Sequence, residues 1–179
     1  MTDHRPGTDR MTHILDPAYQ ERLDDVDTDE VRRRRDETLA ERDYLSYLRR
    51  LIQTRQDLLS YEKARRVAGA EPKPLLDRLI AVLALGPQGG SRGEALRLQI
   101  RPEDIERAEK RMDETLGSLN LAEPLVLEDD ELDRALELLG SAERAISEDR
   151  KAVFRVHDLL QEELKRRYRT DPSAIPVSL

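Results

Sequence analysis

Two segments of this chain carry the same polar side chains at the same spacing. Each copy holds a serine, an arginine and an aspartate, with one variable position. The two copies are Ser46, Arg49, Gln53 and Asp57, and Ser147, Arg150, Phe154 and Asp158. At about 100° per residue, spacings of three, four and four place each set in one helical stripe roughly 80° wide. A solvated helix face tolerates nearly any polar residue, so a repeat at fixed register points to a shared ligand.

The residue types in these stripes suit a guanine-containing nucleotide. The arginine fork matches the O6/N7 edge of guanine, and a carboxylate can accept from guanine N1–H and N2–H. Ser and Gln can reach phosphate oxygens, and additional basic residues offset phosphate charge. The flanking basic residues are Arg42, Arg50, Arg55, Arg144, Lys151 and Arg155. Because the set occurs twice, we expect a two-fold ligand with two or more guanines.

A purely structural reading of the stripes stays open beside this one. A single such string on a charged helix is typical of a solvated face, and Arg49 and Arg150 could form salt bridges to acids on a facing helix. The second copy, in the same register, favours ligand binding. Phe154 can be a packing residue or a ligand contact. No nucleophile with a base and an orienting group is visible, and His157 lacks the companions that a metal site needs, so we expect neither catalytic nor metal-binding residues.

Two heptad patterns predict the long helices that carry the stripes. Apolar or small residues recur every seven positions at Val31, Thr38, Leu45, Ile52 and Leu59, and at Leu132, Leu139, Ile146, Val153 and Leu160. Such repeats are typical of a coiled-coil seam. We therefore predict an all-α fold with long helices at about 29–68 and 129–169. The spacing leaves their relative direction open, and we favour an antiparallel pair because it would set the two stripes face to face.

The rest of the chain divides around these helices. Residues 1–27 mix Pro, Gly, Asp and Thr with little periodicity, which predicts a flexible N-terminal tail. Shorter connecting helices are expected at about 75–85, an apolar stretch, and at 102–117, which begins with a proline followed by acidic residues. The helical domain would thus span 28–170, followed by a C-terminal tail at 171–179.

Composition excludes several classes of protein. The net charge of −7 and the pI near 5.2 argue against direct nucleic-acid binding. The absence of cysteine removes disulfides, thiol catalysis and thiolate metal sites. No apolar run approaches 18 residues and no signal-peptide core is present, so we expect a soluble, cytoplasmic protein without membrane attachment.

The stripes resemble the motif of a known family. The pattern E-x3-S-x2-R-x3-Q-x3-D occurs twice in the RsiG anti-sigma factors, which hold the sporulation sigma factor WhiG inactive when they are armed by cyclic di-GMP. Here the second copy adds Glu143 at the first position but has Phe154 in place of Gln. The first copy has Arg42 in place of Glu, and Glu41 would point about 100° off the stripe.

The resemblance implies a fold, a ligand and a partner. It implies an antiparallel coiled coil that binds a dimer of cyclic di-GMP. It also implies that the protein is a monomer that represses transcription by forming a 1:1 complex with a WhiG-type sigma factor. Carried over position by position, the ligand-binding residues would be Arg42, Ser46, Arg49, Gln53, Asp57, Glu143, Ser147, Arg150, Phe154 and Asp158. The alternative is a structural coiled-coil adaptor that binds no nucleotide.

Overall fold

The computed structural model describes residues 8–71, 77, 100–117 and 127–172. Within these residues the secondary structure is helical throughout. The elements are α1 (Thr8–Leu15), α2 (Pro17–Gln20), a 3-10 turn (Leu23–Asp25), α3 (Thr28–Val67), α4 (Pro102–Leu116) and α5 (Asp129–Thr170). The long helices α3 and α5 pack against each other, and the shorter helices pack beside them. The predicted all-α fold is confirmed.

Local sequence signals begin and end the long helices. The side chain of Asp27 caps α3 by accepting from the backbone N–H of Glu30 at 2.7 Å. Beyond the end of α3, Gly69 takes a φ of +62°, a conformation that favours glycine. At the start of α5, Glu128 and Glu131 form a reciprocal capping box.

Contacts at both ends show that α3 and α5 run antiparallel. Near the C-terminal end of α3, Arg66 donates to the carboxylate of Asp129 at 2.7 Å, at the first residue of α5. Near the N-terminal end of α3, Arg32 donates to the hydroxyl of Tyr168 at 2.9 Å, close to the end of α5. The predicted antiparallel pair is therefore confirmed.

The heptad positions form the seam between these two helices. All ten are buried, and none exposes more than 3% of its surface: Val31, Thr38, Leu45, Ile52, Leu59, Leu132, Leu139, Ile146, Val153 and Leu160. Each buried Leu, Ile or Val side chain stabilises the pair by roughly 1.5–3 kcal/mol. This narrow aliphatic seam suits a chain in which only 3% of residues are aromatic.

A buried ionic cluster attaches α1 and α4 to one flank of the seam. Glu41 on α3 is fully buried and accepts from Arg107 of α4 through both guanidinium Nη atoms, at 2.8 and 3.0 Å. It also accepts from Arg10 of α1, which in turn reaches Asp104 of α4 at 2.9 Å. The Arg107 guanidinium lies 3.8 Å from the ring centroid of Tyr44, a cation–π contact. One carboxylate thus joins three helices.

The prediction of a flexible tail over residues 1–27 is corrected for the residues that the structure describes. Ile14 of α1 is fully buried, and Tyr19 of α2 is 4% exposed and donates to the backbone carbonyl of Arg34 at 2.9 Å. Both pack with Val31, Val156 and the end of α5. These helices are held by tertiary contacts, which local composition does not reveal.

Two further predictions fall largely outside the described residues. The helix expected at 75–85 lies there except for Asp77, and the tail expected at 171–179 lies there except for its first two residues. Among the helices that are described, none combines the length and the apolar character needed to cross a membrane.

Candidate functional site

The ten predicted site positions lie on one side of the helix pair, here called the motif face. Relative to the seam, the stripe on α3 lies on the flank opposite Glu41 and Tyr44, the residues that α4 covers. Glu41 is buried in the ionic cluster, whereas Arg42 is only partly buried. This difference agrees with the expectation that Glu41 points away from the stripe and that Arg42 occupies its first position.

The two copies meet across the seam at the carboxylate of Glu143. Its Oε1 atom accepts from Arg49 Nε at 2.7 Å and from Gln53 Nε2 at 3.3 Å, both on α3. The same oxygen accepts from the hydroxyl of Ser147, one turn further along α5, at 3.1 Å. Four of the ten predicted residues are thus brought into one hydrogen-bonded cluster.

The environment of Glu143 keeps it ionised. Desolvation by the neighbouring helix raises its pKa, but the hydrogen bonds from Arg49 and Ser147 outweigh this effect and hold the pKa below the ordinary value. Both partners of the ion pair remain partly exposed, with 35% of the Arg49 side chain and 21% of the Glu143 side chain accessible. A ligand can therefore reach this pair from solvent.

The other end of the motif face has a different arrangement. Arg42 turns to its neighbour Asp43, with nitrogen–oxygen distances of 3.1 and 3.2 Å. Ser46 donates to the backbone carbonyl of Arg42 at 2.8 Å rather than to an acid. Arg150 has a buried Nε that makes no hydrogen bond within the described residues.

The remaining predicted residues lie toward the two ends of the face. Asp57 and Asp158 are each eight residues beyond the arginine of their own copy, about 12 Å along the helix axis. Desolvation raises the pKa of Asp57 although the residue as a whole is exposed, and no cation in the described part of the chain pairs with it. Asp158 lies 3.5 Å from His157 Nδ1, and Phe154 is 43% exposed with its ring centroid 6.2 Å from that of His157.

One partner on this side was not anticipated from the sequence. Asp43 holds Arg42 on the same helix, but adjacent residues do not share a helix face and their contact carries no spacing signal. The one sequence feature that could have indicated this pairing is that Asp43 directly follows a motif position.

The motif face is a surface, and the described cavities lie elsewhere. A cleft of about 600 Å³ is bordered by Arg10, Arg32, Glu37 and Arg101, toward the flank that α1 and α4 cover. Over the residues with described positions, no group of three or more His, Asp or Glu is placed to hold a metal ion. The motif face is thus a polar surface that carries arginines and carboxylates.

Comparison with known proteins identifies the first half of this arrangement. A family model described as RsiG-like matches residues 17–83, which include α2, α3 and the first copy of the stripe. The second copy, on α5, lies beyond the matched residues and is linked to the first by the internal repeat. No curated protein matches the chain. The RsiG-like family is regulatory rather than catalytic and implies an anti-sigma factor of the RsiG type. The resemblance predicted from the sequence is confirmed over residues 17–83, which match the model of an RsiG-like domain.

Proposed function

We propose that this protein is an anti-sigma factor that binds a dimer of cyclic di-GMP on the motif face and, when so armed, sequesters a sporulation sigma factor of the WhiG type. The RsiG-like match supports the anti-sigma role. The single observation that supports the ligand is the meeting of both stripes on one face, where Arg49 and Gln53 of α3 contact Glu143 of α5.

The layout of the face suits a long, two-fold ligand. Antiparallel pairing places Arg49 and Arg150 near its middle, and Asp57 and Asp158 toward opposite ends. The central guanidinium groups can hold phosphate oxygens or guanine O6 and N7, and the outer carboxylates can accept from guanine N1–H and N2–H. A cyclic dinucleotide dimer offers four phosphates and four guanines, which matches this alternation.

Charge compensation then involves residues beside the motif. The ten positions hold three arginines and three carboxylates, so the face itself is formally neutral. The four phosphate charges require exposed cations beside the motif face: Arg50, Arg144, Lys151 and Arg155. We therefore expect affinity to fall as salt rises, because exposed charges are screened.

One observation favours the alternative, a structural coiled-coil adaptor. Arg49, Gln53 and Ser147 already satisfy Glu143 without any ligand. Ion pairs of this kind beside a seam also set helix orientation. A direct measurement of cyclic di-GMP binding distinguishes the two functions.

Calorimetric titration with cyclic di-GMP tests the proposal. We expect Arg150→Ala to cost about 1.5–3 kcal/mol of binding free energy by removing a charge-assisted contact. Arg134→Ala is the matched control, because Arg134 is exposed on α5 away from the motif face. A wild type that releases no heat on titration would support the adaptor function instead. Equal losses of affinity in the two variants, with their helices intact by circular dichroism, would do the same.

The sigma-factor part of the proposal has its own test. If nucleotide stabilises the helix arrangement that fits the partner, the sigma factor must tighten nucleotide binding by the same factor, as linkage requires. Nucleotide affinity is measured for the free chain and for its mixture with a WhiG-type sigma factor at fixed salt. Identical affinities would mean binding without switching.

A further inference from the structure

The two copies of the motif differ at their first and fourth positions. The two residues that depart from the family pattern, Arg42 and Phe154, lie at the same end of the face. The first positions are Arg42 and Glu143, and the fourth are Gln53 and Phe154. In an antiparallel pair the first position of one copy lies level with the fourth of the other. The contact of Gln53 with Glu143 demonstrates this at one end, and the same register sets Arg42 level with Phe154 at the other.

The end that contains Glu143, here called the paired half, is hydrogen-bonded among its own residues. One carboxylate oxygen accepts from Arg49, Gln53 and Ser147. Glu143 occupies Arg49 Nε, so a ligand anion can accept from this donor only if it displaces the carboxylate. Breaking that ion pair opposes part of the energy that the ligand contact supplies.

The opposite end, here called the open half, lacks the corresponding acid. Its serine, Ser46, donates to a backbone carbonyl, whereas Ser147 donates to a carboxylate. Its arginine, Arg150, holds a buried Nε–H without an acceptor in the described residues. A buried donor without a partner destabilises the protein, and an incoming acceptor would remove that cost.

The local charges and the exposed ring at this end fit a nucleotide phosphate with its base. Arg42 and Arg150 supply two positive charges here, opposed by Asp43 and Asp158. The Arg42–Asp43 pair joins adjacent residues, which do not face each other on a helix, so Arg42 can turn to another anion at low cost. Phe154 offers an exposed ring on which a base can stack.

We propose that the motif face consists of two inequivalent halves, and that the open half takes a phosphate of the nucleotide on Arg150 and Arg42 with a base against Phe154. In the paired half, a ligand anion must compete with Glu143 for Arg49 Nε. This inference rests on the proposed nucleotide function. It adds that the two repeated arginines contribute unequally.

A restored-repeat variant separates the halves. In the wild-type chain we expect Arg150→Gln to weaken cyclic di-GMP binding at least tenfold more than Arg49→Gln does. In an Arg42→Glu/Phe154→Gln background the introduced carboxylate engages Arg150 as Glu143 engages Arg49. The two glutamine variants should then differ by less than twofold. Equal losses in the wild-type background, or a difference that persists in the restored background, would overturn the inference.

A second measurement does not depend on cyclic di-GMP. Nitrogen-15 spectra of arginine Nε–H groups are recorded for the full chain during titration with inorganic phosphate. We expect the Arg150 signal to shift at concentrations that leave Arg49 unmoved. If the wild type binds no cyclic di-GMP but shows this selective shift, the proposed ligand fails and the inequivalence stands. Equal shifts of both signals, or a shift of Arg49 alone, refute the inequivalence itself.

Discussion

Replacing Glu41 should destabilise the protein far more than replacing Glu62, although both carboxylates are fully buried. Glu41 joins α1, α3 and α4 through Arg10 and Arg107. Among the described residues, Glu62 accepts from Arg65 and Arg66, three and four residues away on its own helix. The comparison therefore isolates the cost of an inter-helix ionic cluster from that of a local one.

The expected magnitudes follow from burial of the arginines. Removing one member of a buried ion pair costs roughly 3–5 kcal/mol, because the partner charge is left uncompensated. Arg10 and Arg107 keep 22% and 17% of their side chains exposed, so we expect Glu41→Gln to cost about 3 kcal/mol, at the low end. Glu62→Gln should cost less, because Arg65 and Arg66 lie on the same helix and Arg66 keeps its contact with Asp129, so no helix loses its attachment.

Urea unfolding followed by circular dichroism at pH 7 measures both losses. Hydrogen exchange should additionally show α1 and α4 exchanging faster in Glu41→Gln, while the seam positions of α3 and α5 stay protected. A loss for Glu41→Gln no larger than that for Glu62→Gln would refute the reasoning, as would unchanged protection of α1.

Three further outcomes are expected. Leu139→Ala should lower the free energy of unfolding in urea by about 2–5 kcal/mol, because Leu139 is fully buried. Leu138→Ala, at a neighbouring position that is 39% exposed, should change it by about 0.5 kcal/mol or less. Similar losses in the two variants would mean that the seam is wrongly assigned. Hydrogen bonds from Arg166, and less strongly from Arg167, lower the pKa of Glu163 to about 2 against an ordinary 4.5. Its contribution to stability is thus complete above about pH 5 and lost as pH falls toward 2, so Glu163→Gln should flatten the acid limb of the stability curve, and an unchanged limb would contradict this. Asp57→Asn should lower the preference for cyclic di-GMP over cyclic di-AMP in a competition assay; a wild type that binds both equally would remove the guanine argument.

The long helices could be predicted because the residues of their seam recur at a regular spacing in the sequence. The pattern of Leu132, Leu139 and Ile146 repeats every seven residues, and each of these positions is buried. Helix boundaries followed from the acidic N-terminal turns and from Gly69. Their relative direction could not be deduced from spacing alone, because either direction buries the same residues.

The N-terminal helices could not be predicted, because distant partners hold them. α1 has eight residues and no heptad pattern, and its docking depends on Arg10 reaching Glu41 and Asp104. Those partners are 31 and 94 residues away along the chain. Composition alone therefore predicted a flexible tail for this segment.

The membership of the motif face was readable from helical register, but its pairings were not. Spacing put Arg49 and Gln53 on one stripe and Glu143 and Ser147 on another. That one oxygen of Glu143 would accept from three of these residues depends on the antiparallel register and on side-chain geometry. The same register revealed that the departures at Arg42 and Phe154 lie level with each other.

Both copies of the motif belong to one polypeptide, which changes how the face responds to dilution. A face shared between two separate chains would come apart as protein concentration falls, and its occupancy would follow mass action for protein as well as ligand. Here α3 and α5 are tethered, so each helix meets the other at a fixed effective concentration. Fractional occupancy of the motif face therefore depends on the free concentration of the ligand and not on the concentration of the protein.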